Sequence, residues 1–224
     1  MSRVDMGSEA ENNKWNAMKS LVLSFAMLIG LMGNAQAAGD AAAGEAISGT
    51  CTACHGADGN SPASLYPKLA GQNASYIVKQ LKDFQLAMQT GGEKGRNDPT
   101  MMGMSAALTE QNMQDLAAFY AAQTMKPEET PEEVVAAGQL LYRGGDIERG
   151  IAACAACHGP RGNGNEAAKF PKISGQHADY LKAQLEKFSS QDRANDLNGM
   201  MHDIAYKMRP ADMEIIAKYL GGLH

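Results

Sequence analysis

One five-residue pattern occurs twice in this chain, as Cys51-Thr52-Ala53-Cys54-His55 and as Cys154-Ala155-Ala156-Cys157-His158, and the two copies hold all four cysteines. C-x-x-C alone fits a dithiol redox pair, half of a zinc site or a disulfide. A dithiol oxidoreductase needs a βαβ setting, and no β-rich run flanks either copy. A four-cysteine zinc site would have to join halves about a hundred residues apart. None of these readings requires histidine in fifth place, and none requires it twice. C-x-x-C-H is the attachment pattern of c-type haem. Two thiols one short turn apart add across the two porphyrin vinyl groups, and the next imidazole reaches the iron from the same side. The expectation is therefore two covalent haem c groups, one on Cys51 and Cys54, the other on Cys154 and Cys157. His55 and His158 each supply an iron ligand. A chain built this way is expected to carry electrons.

The motifs head two copies of a longer repeat. Tyr66-Pro67-Lys68-Leu69-Ala70-Gly71-Gln72 returns as Phe170-Pro171-Lys172-Ile173-Ser174-Gly175-Gln176, and Tyr76, Leu81 and Phe84 return 104 residues later as Tyr180, Leu185 and Phe188. Met113, Ala117 and Tyr120 answer at an offset of 100 to Met213, Ala217 and Leu220, which implies a surface loop four residues shorter in the second copy. The spacing of Tyr76, Ile77, Gln80, Leu81 and Phe84, and of Tyr180, Leu181, Gln184, Leu185 and Phe188, predicts a helix in each copy. Ala- and Leu-rich leads at 40–51 and 131–142 precede the motifs, and Thr109 is placed to cap a last helix in the first copy. Regular strand signals are absent, so the fold class is all-α, two tandem domains related by the repeat. The expected organisation is 38–126, a linker at 127–130 marked by Pro127 and Pro131, and 131–224. Thr130, Pro131 and Glu133 are read as a capping box that starts the second domain. A domain of about ninety residues buries little core by itself, and a covalent haem is a fitting part of it.

Residues 21–32 (LVLSFAMLIGLM) form the single long apolar run, with Lys19 before it and Ala35-Gln36-Ala37 after it. Twelve residues between such flanks read as a secretory signal peptide cleaved after Ala37; an uncleaved membrane anchor is the competing reading. Residues 1–17 carry more acids than bases, unlike a signal n-region, and Met18 would make a more ordinary start. Export places the protein in the periplasm, where c-type haem is attached and where bare thiols tend to pair. Removing residues 1–37 takes away three bases and three acids, so the remainder keeps the net charge of −5. Such an acidic chain is a poor nucleic-acid binder. Residues 38–130 carry −4 and residues 131–224 carry −1, an asymmetry that could orient the molecule on a basic redox partner.

The sixth iron ligand decides whether a haem is closed for electron transfer or open to oxygen chemistry. Most of the 15 methionines are expected to be core or signal-peptide filler. At the offset of 100, Met101 pairs with Met201, whereas Thr100 pairs with Met200, Met102 with His202 and Met104 with Ile204. The repeat thus selects Met101 and Met201, each in a Gly-, Asn- and Asp-rich stretch read as a loop before the last helix. Met102, Met104 and Met200 remain as rivals, and His202 as a bis-histidine alternative for the second haem. His177, paired with Asn73, is read as a surface or interdomain residue. A thioether ligand favours ferrous iron and raises the potential relative to bis-His ligation.

With these residues in place, the chain from Ala38 to His224 resembles the cytochrome c4 family, dihaem periplasmic cytochromes made of two class I cytochrome c domains. The likeness rests on the paired C-x-x-C-H motifs, the two seven-residue segments that end at Gln72 and Gln176, and the spacing to Met101 and Met201. Arg143-Gly144-Gly145 and Gly222-Leu223-His224 also look like this family. The resemblance implies that the carbonyls of Pro67 and Pro171 accept a hydrogen bond from the ligand histidines. It also implies that the domains face each other with haem propionate edges close across the interface. It implies one-electron transfer between a quinol–cytochrome c reductase and a terminal oxidase, and leaves room for peripheral membrane association. The alternatives are a haem subunit docked on a membrane oxidase complex and a dihaem peroxidase. Arg209 departs from the Ser or Thr expected as the cap of the last helix.

Overall fold

Asp40 accepts the backbone N–H groups of Ala42 and Ala43 and so starts α1 (Ala41–Ile47). In the computed structural model, which describes residues 39–223, four more helices complete the first copy. They are α2 (Gly49–His55), α3 (Ala74–Gln89), α4 (Pro99–Ser105) and α5 (Glu110–Ala121). The second copy repeats them as α6 (Glu132–Gly144), α7 (Ala155–His158), α8 (Ala178–Ser190), α9 (Met200–Tyr206) and α10 (Pro210–Gly221). Among the described residues the only β pairing is two isolated bridges, Asp146–Ile151 and Asn165–Phe170. The apolar run at 21–32 and the cleavage site after Ala37 lie outside the described residues.

Packing follows the same plan in both copies: the first helix crosses the last, the last lies on the long central helix, and the central helix carries the short helix with the candidate methionine. The periodic apolar positions of α3, Ile77 and Leu81, meet Met113, Leu116, Ala117, Phe119 and Tyr120 of α5. Leu181 and Phe188 of α8 meet Met213, Ile216, Ala217, Tyr219 and Leu220 of α10. Burying each large side chain of this kind contributes ~1.5–3 kcal/mol, so the last helix anchors each copy. Glycine sets how close the first helix comes. A Cβ on Gly44 would sit 2.0 Å from the Asp115 carbonyl oxygen, and one on Gly138 would sit 2.4 Å from Tyr219 Cβ.

Four details depart from the sequence reading. Met101 and Met201 lie in helices, α4 and α9, rather than in loops. Asp98 starts α4 by accepting the Met101 N–H at 3.1 Å, with Pro99 in the first turn, and Asp196 accepts the Met201 N–H at 2.7 Å. The shortening of the second copy is partly helical, since the central helix has 16 residues in the first copy and 13 in the second. Thr130 does not cap α6: its hydroxyl is donated to the Tyr219 carbonyl instead, and the segment is tied to α10. At α10 the missing hydroxyl cap is replaced by Asp212, whose carboxylate accepts the Arg209 backbone N–H at 2.8 Å and also pairs with the Arg209 side chain. Thr109 does cap α5, in a reciprocal box with Asn112.

Candidate haem centres

His55 ends α2 and His158 ends α7, and both are buried. Gly56 and Gly159 follow with φ of 79° and 78°, a left-handed turn open to glycine, which stops each helix at the histidine. His55 Nδ1 lies 2.8 Å from the Pro67 carbonyl oxygen and His158 Nδ1 lies 3.0 Å from that of Pro171. Burial holds both imidazoles below their ordinary pKa, partly offset by those bonds. A neutral ring that donates from Nδ1 keeps its Nε2 lone pair for a metal. The contact that the resemblance implied is thus present in both copies.

The four cysteines are unpaired. They do not converge, and among the described residues no three His, Cys, Asp or Glu side chains gather as a bare metal site. That is against the zinc reading. Cys51 packs against the first apolar cluster and Cys154 against the second. Burial pushes the Cys154 thiol up to about 11. Among the described residues the buried Tyr120 hydroxyl has no close hydrogen-bond partner; burial first, then the neighbouring Cys51, raises its pKa.

The same clusters sort the methionines. Met101 packs on the first and Met201 on the second. Met104 and Met200 are exposed, at 41% and 37%. His202 is turned elsewhere, with Nδ1 2.8 Å from the Phe188 carbonyl and Nε2 3.1 Å from the Gln191 amide. His177 is an interdomain residue: Nε2 lies 2.9 Å from the Ser61 carbonyl oxygen, and Nδ1 meets Glu128.

Between the centres lies a polar interface that the sequence reading did not describe. Arg96 stacks on Phe84 and Arg193 on Phe188, at 5.0 and 4.4 Å from the ring centroids. Arg96 donates to Gln80, Tyr180 and Gln184. Arg193 donates to Gln184, Tyr76, Gln80 and Asn195. These partners are neutral, and among the described residues neither guanidinium forms an ion pair with a carboxylate. Arg193 is buried and Arg96 half-buried, and a buried cation bonded to neutral groups favours an anion nearby. Two thiols and a buried imidazole in each copy, with an apolar shell bearing a thioether, fit a covalently held haem in each domain.

A cytochrome c family model matches residues 41–122 and again 135–224. The chain is 43% identical over 208 residues to cytochrome c4 of Pseudomonas aeruginosa, covering 92% of this chain and 100% of that one. The chain belongs to the cytochrome c4 family. The crystal structure of reduced recombinant cytochrome c4 from Pseudomonas stutzeri superposes with a TM-score of 0.81 at 40% identity, covering 84% of this chain and all of that one. A protein of Thiomonas intermedia named thiosulfate dehydrogenase electron acceptor is 37% identical over 203 residues, 89% of each chain. Like the other cytochromes c4, this protein is an all-α pair of cytochrome c domains and a dihaem electron carrier, its cofactors two covalent c haems.

Proposed function

We propose that the protein, trimmed after Ala37, works in the periplasm as a one-electron relay from a quinol–cytochrome c reductase to a terminal oxidase. The two domains are taken as 38–126 and 131–224, joined at 127–130. His55 with Met101, and His158 with Met201, are assigned as the axial pairs, and the four motif cysteines as the thioether attachments. The iron supplies reversible one-electron chemistry when bound. The chain's own residues would hold it in place, keep the imidazoles neutral and set an apolar cluster beside each methionine. No bond-making step falls to a side chain. The carrying observation is the symmetry of the two centres: each has a buried proline-bonded histidine and a methionine in the same apolar shell. A peroxidase would need one open, polar distal face, and the His202 side chain that could have varied the second centre is tied to Phe188 and Gln191.

The name of the Thiomonas intermedia relative favours a second donor, a thiosulfate-oxidising enzyme. Stopped-flow reduction by each candidate donor separates the two. For the ligands, Met101→His and Met201→His in the holoprotein are expected each to remove half of the near-infrared band of ferric Met-ligated haem and to lower one of the two potentials. A substitution that left spectrum and potential unchanged would overturn that ligand. Mass spectrometry of the periplasmic protein is expected to find Ala38 at its N-terminus.

A further inference from the structure

The segments that carry Pro67 and Pro171 also carry the interdomain contact, and they do so reciprocally. The Lys68 N–H donates to Gln176 Oε1 at 2.8 Å, and Gln176 Nε2 donates back to the Lys68 carbonyl at 2.9 Å. The Lys172 N–H donates to Gln72 Oε1 at 2.8 Å, and Gln72 Nε2 donates to the Lys172 carbonyl at 2.8 Å. Gln72 and Gln176 are buried, at 5% and 3% exposure. Each Oε1 also accepts the N–H of the following residue, Asn73 or His177, which fixes the amide in this orientation.

The Pro67 carbonyl and the Lys68 N–H belong to one peptide group. That group accepts from His55 on one side and donates to the other domain's glutamine on the other. The Pro171–Lys172 peptide does the same between His158 and Gln72. Donation from a peptide N–H polarises its carbonyl and makes it a stronger acceptor. A stronger acceptor at Nδ1 gives the imidazole more imidazolate character, which makes it a better donor to ferric iron. We propose that Gln176 and Gln72 are crossed positioning residues: each sets, through one peptide group, the basicity of the iron-ligating histidine in the opposite domain. The potential of each haem then depends on how tightly the two domains are docked, so that loosening the interface raises both potentials together. This inference rests on the assignment of His55 and His158 as ligands.

The test uses the dihaem holoprotein and two readouts: spectroelectrochemical titration, and the Nδ1–H signals of His55 and His158 by NMR in the reduced, diamagnetic state. Gln176→Leu is expected to move the His55 signal upfield and leave His158 in place. It should also lower the oxidised-to-reduced ratio of the His55 haem about two- to threefold at fixed ambient potential, ~20–30 mV upward at about 59 mV per decade. Gln72→Leu is expected to mirror this at His158. Gln176→Glu keeps the length and offers Lys68 a charged acceptor. It should move the His55 signal downfield and lower that potential, and it decides the matter if Gln176→Leu yields no folded holoprotein. Equal movement of both signals, movement confined to the substituted domain, or no movement would overturn the crossed relay. Failure of the ligand assignment would show instead in the unsubstituted protein, as histidine ring signals without the strong upfield ring-current shift of a haem-bound imidazole.

Discussion

Single residues carry most of the chemistry. Arg193 is 6% exposed and, among the described residues, its hydrogen bonds go to neutral groups. Arg193→Met is expected to lower the reduction potentials, because loss of a buried positive charge favours ferric iron, and to cost about 2 kcal/mol in lost buried hydrogen bonds, read by urea unfolding. Asp212 shows pH linkage. Arg209 first, then Arg149, holds its carboxyl well below the usual carboxylate range against desolvation. Its folded pKa lies under the unfolded value of ~3.9, so the stabilisation is complete above about pH 5 and is lost as pH falls through the folded value. Asp212→Asn is expected to cost about 1–2 kcal/mol at pH 7 and to flatten the acid side of the stability curve. The proposed cysteine and histidine roles could be drawn from the sequence because a five-residue pattern contains their spacing. Those of Arg96, Arg193, Gln72 and Gln176 could not, since their partners lie in the other domain, 84 to 117 residues away in sequence.

At the scale of elements, the helix crossings set tolerance. Gly138→Ala is expected to destabilise the second domain by about 1–3 kcal/mol, because α6 and α10 must separate to admit a methyl against Tyr219. Gly49→Ala, at the exposed start of α2 with nothing near its Cβ, should be neutral or slightly stabilising by circular-dichroism melting. Thr109→Ala should cost about 1 kcal/mol through loss of the α5 cap. The periodic stripes of α3, α5, α8 and α10 were readable since burial on one face imposes a three- and four-residue rhythm. The short helices α4 and α9 were not, because seven residues with adjacent methionines give little rhythm; the readable signal at α4 was Asp98-Pro99, a cap followed by a first-turn proline. Thr130 shows the converse case, a good local cap overridden by the nearby Tyr219 carbonyl.

Over the whole molecule, the interface makes the two copies a unit. Lys68 Nζ reaches the carbonyls of Lys126 and Gly175, Asn73 reaches Phe170, and Glu128 joins His177 and the Gly221 carbonyl. The segment read as a linker is therefore tied to the second domain through Glu128 and Thr130, with Glu128 3.8 Å from Lys68 of the first, rather than a free tether. The charge difference, −4 for residues 38–130 and −1 for 131–224, belongs to this scale as well. Electron exchange with a basic partner is expected to slow several-fold between about 10 and 150 mM salt, as the screening length falls from about 30 to 8 Å. Stopped-flow kinetics at a series of ionic strengths measures it.

The sequence by itself determined the number of haems and the doubled helical plan, and it supplied the cysteines and histidines proposed to hold them. Each of these is written in local spacing or in the comparison of one copy with the other. Tertiary structure alone decided which methionines share a shell with the motifs, where Arg96 and Arg193 gather, and that each proline–lysine peptide serves both its own histidine and the opposite domain's glutamine. These relations join residues far apart in the chain. A single sequence records such contacts only as residue types, and burial and docking convert them into geometry.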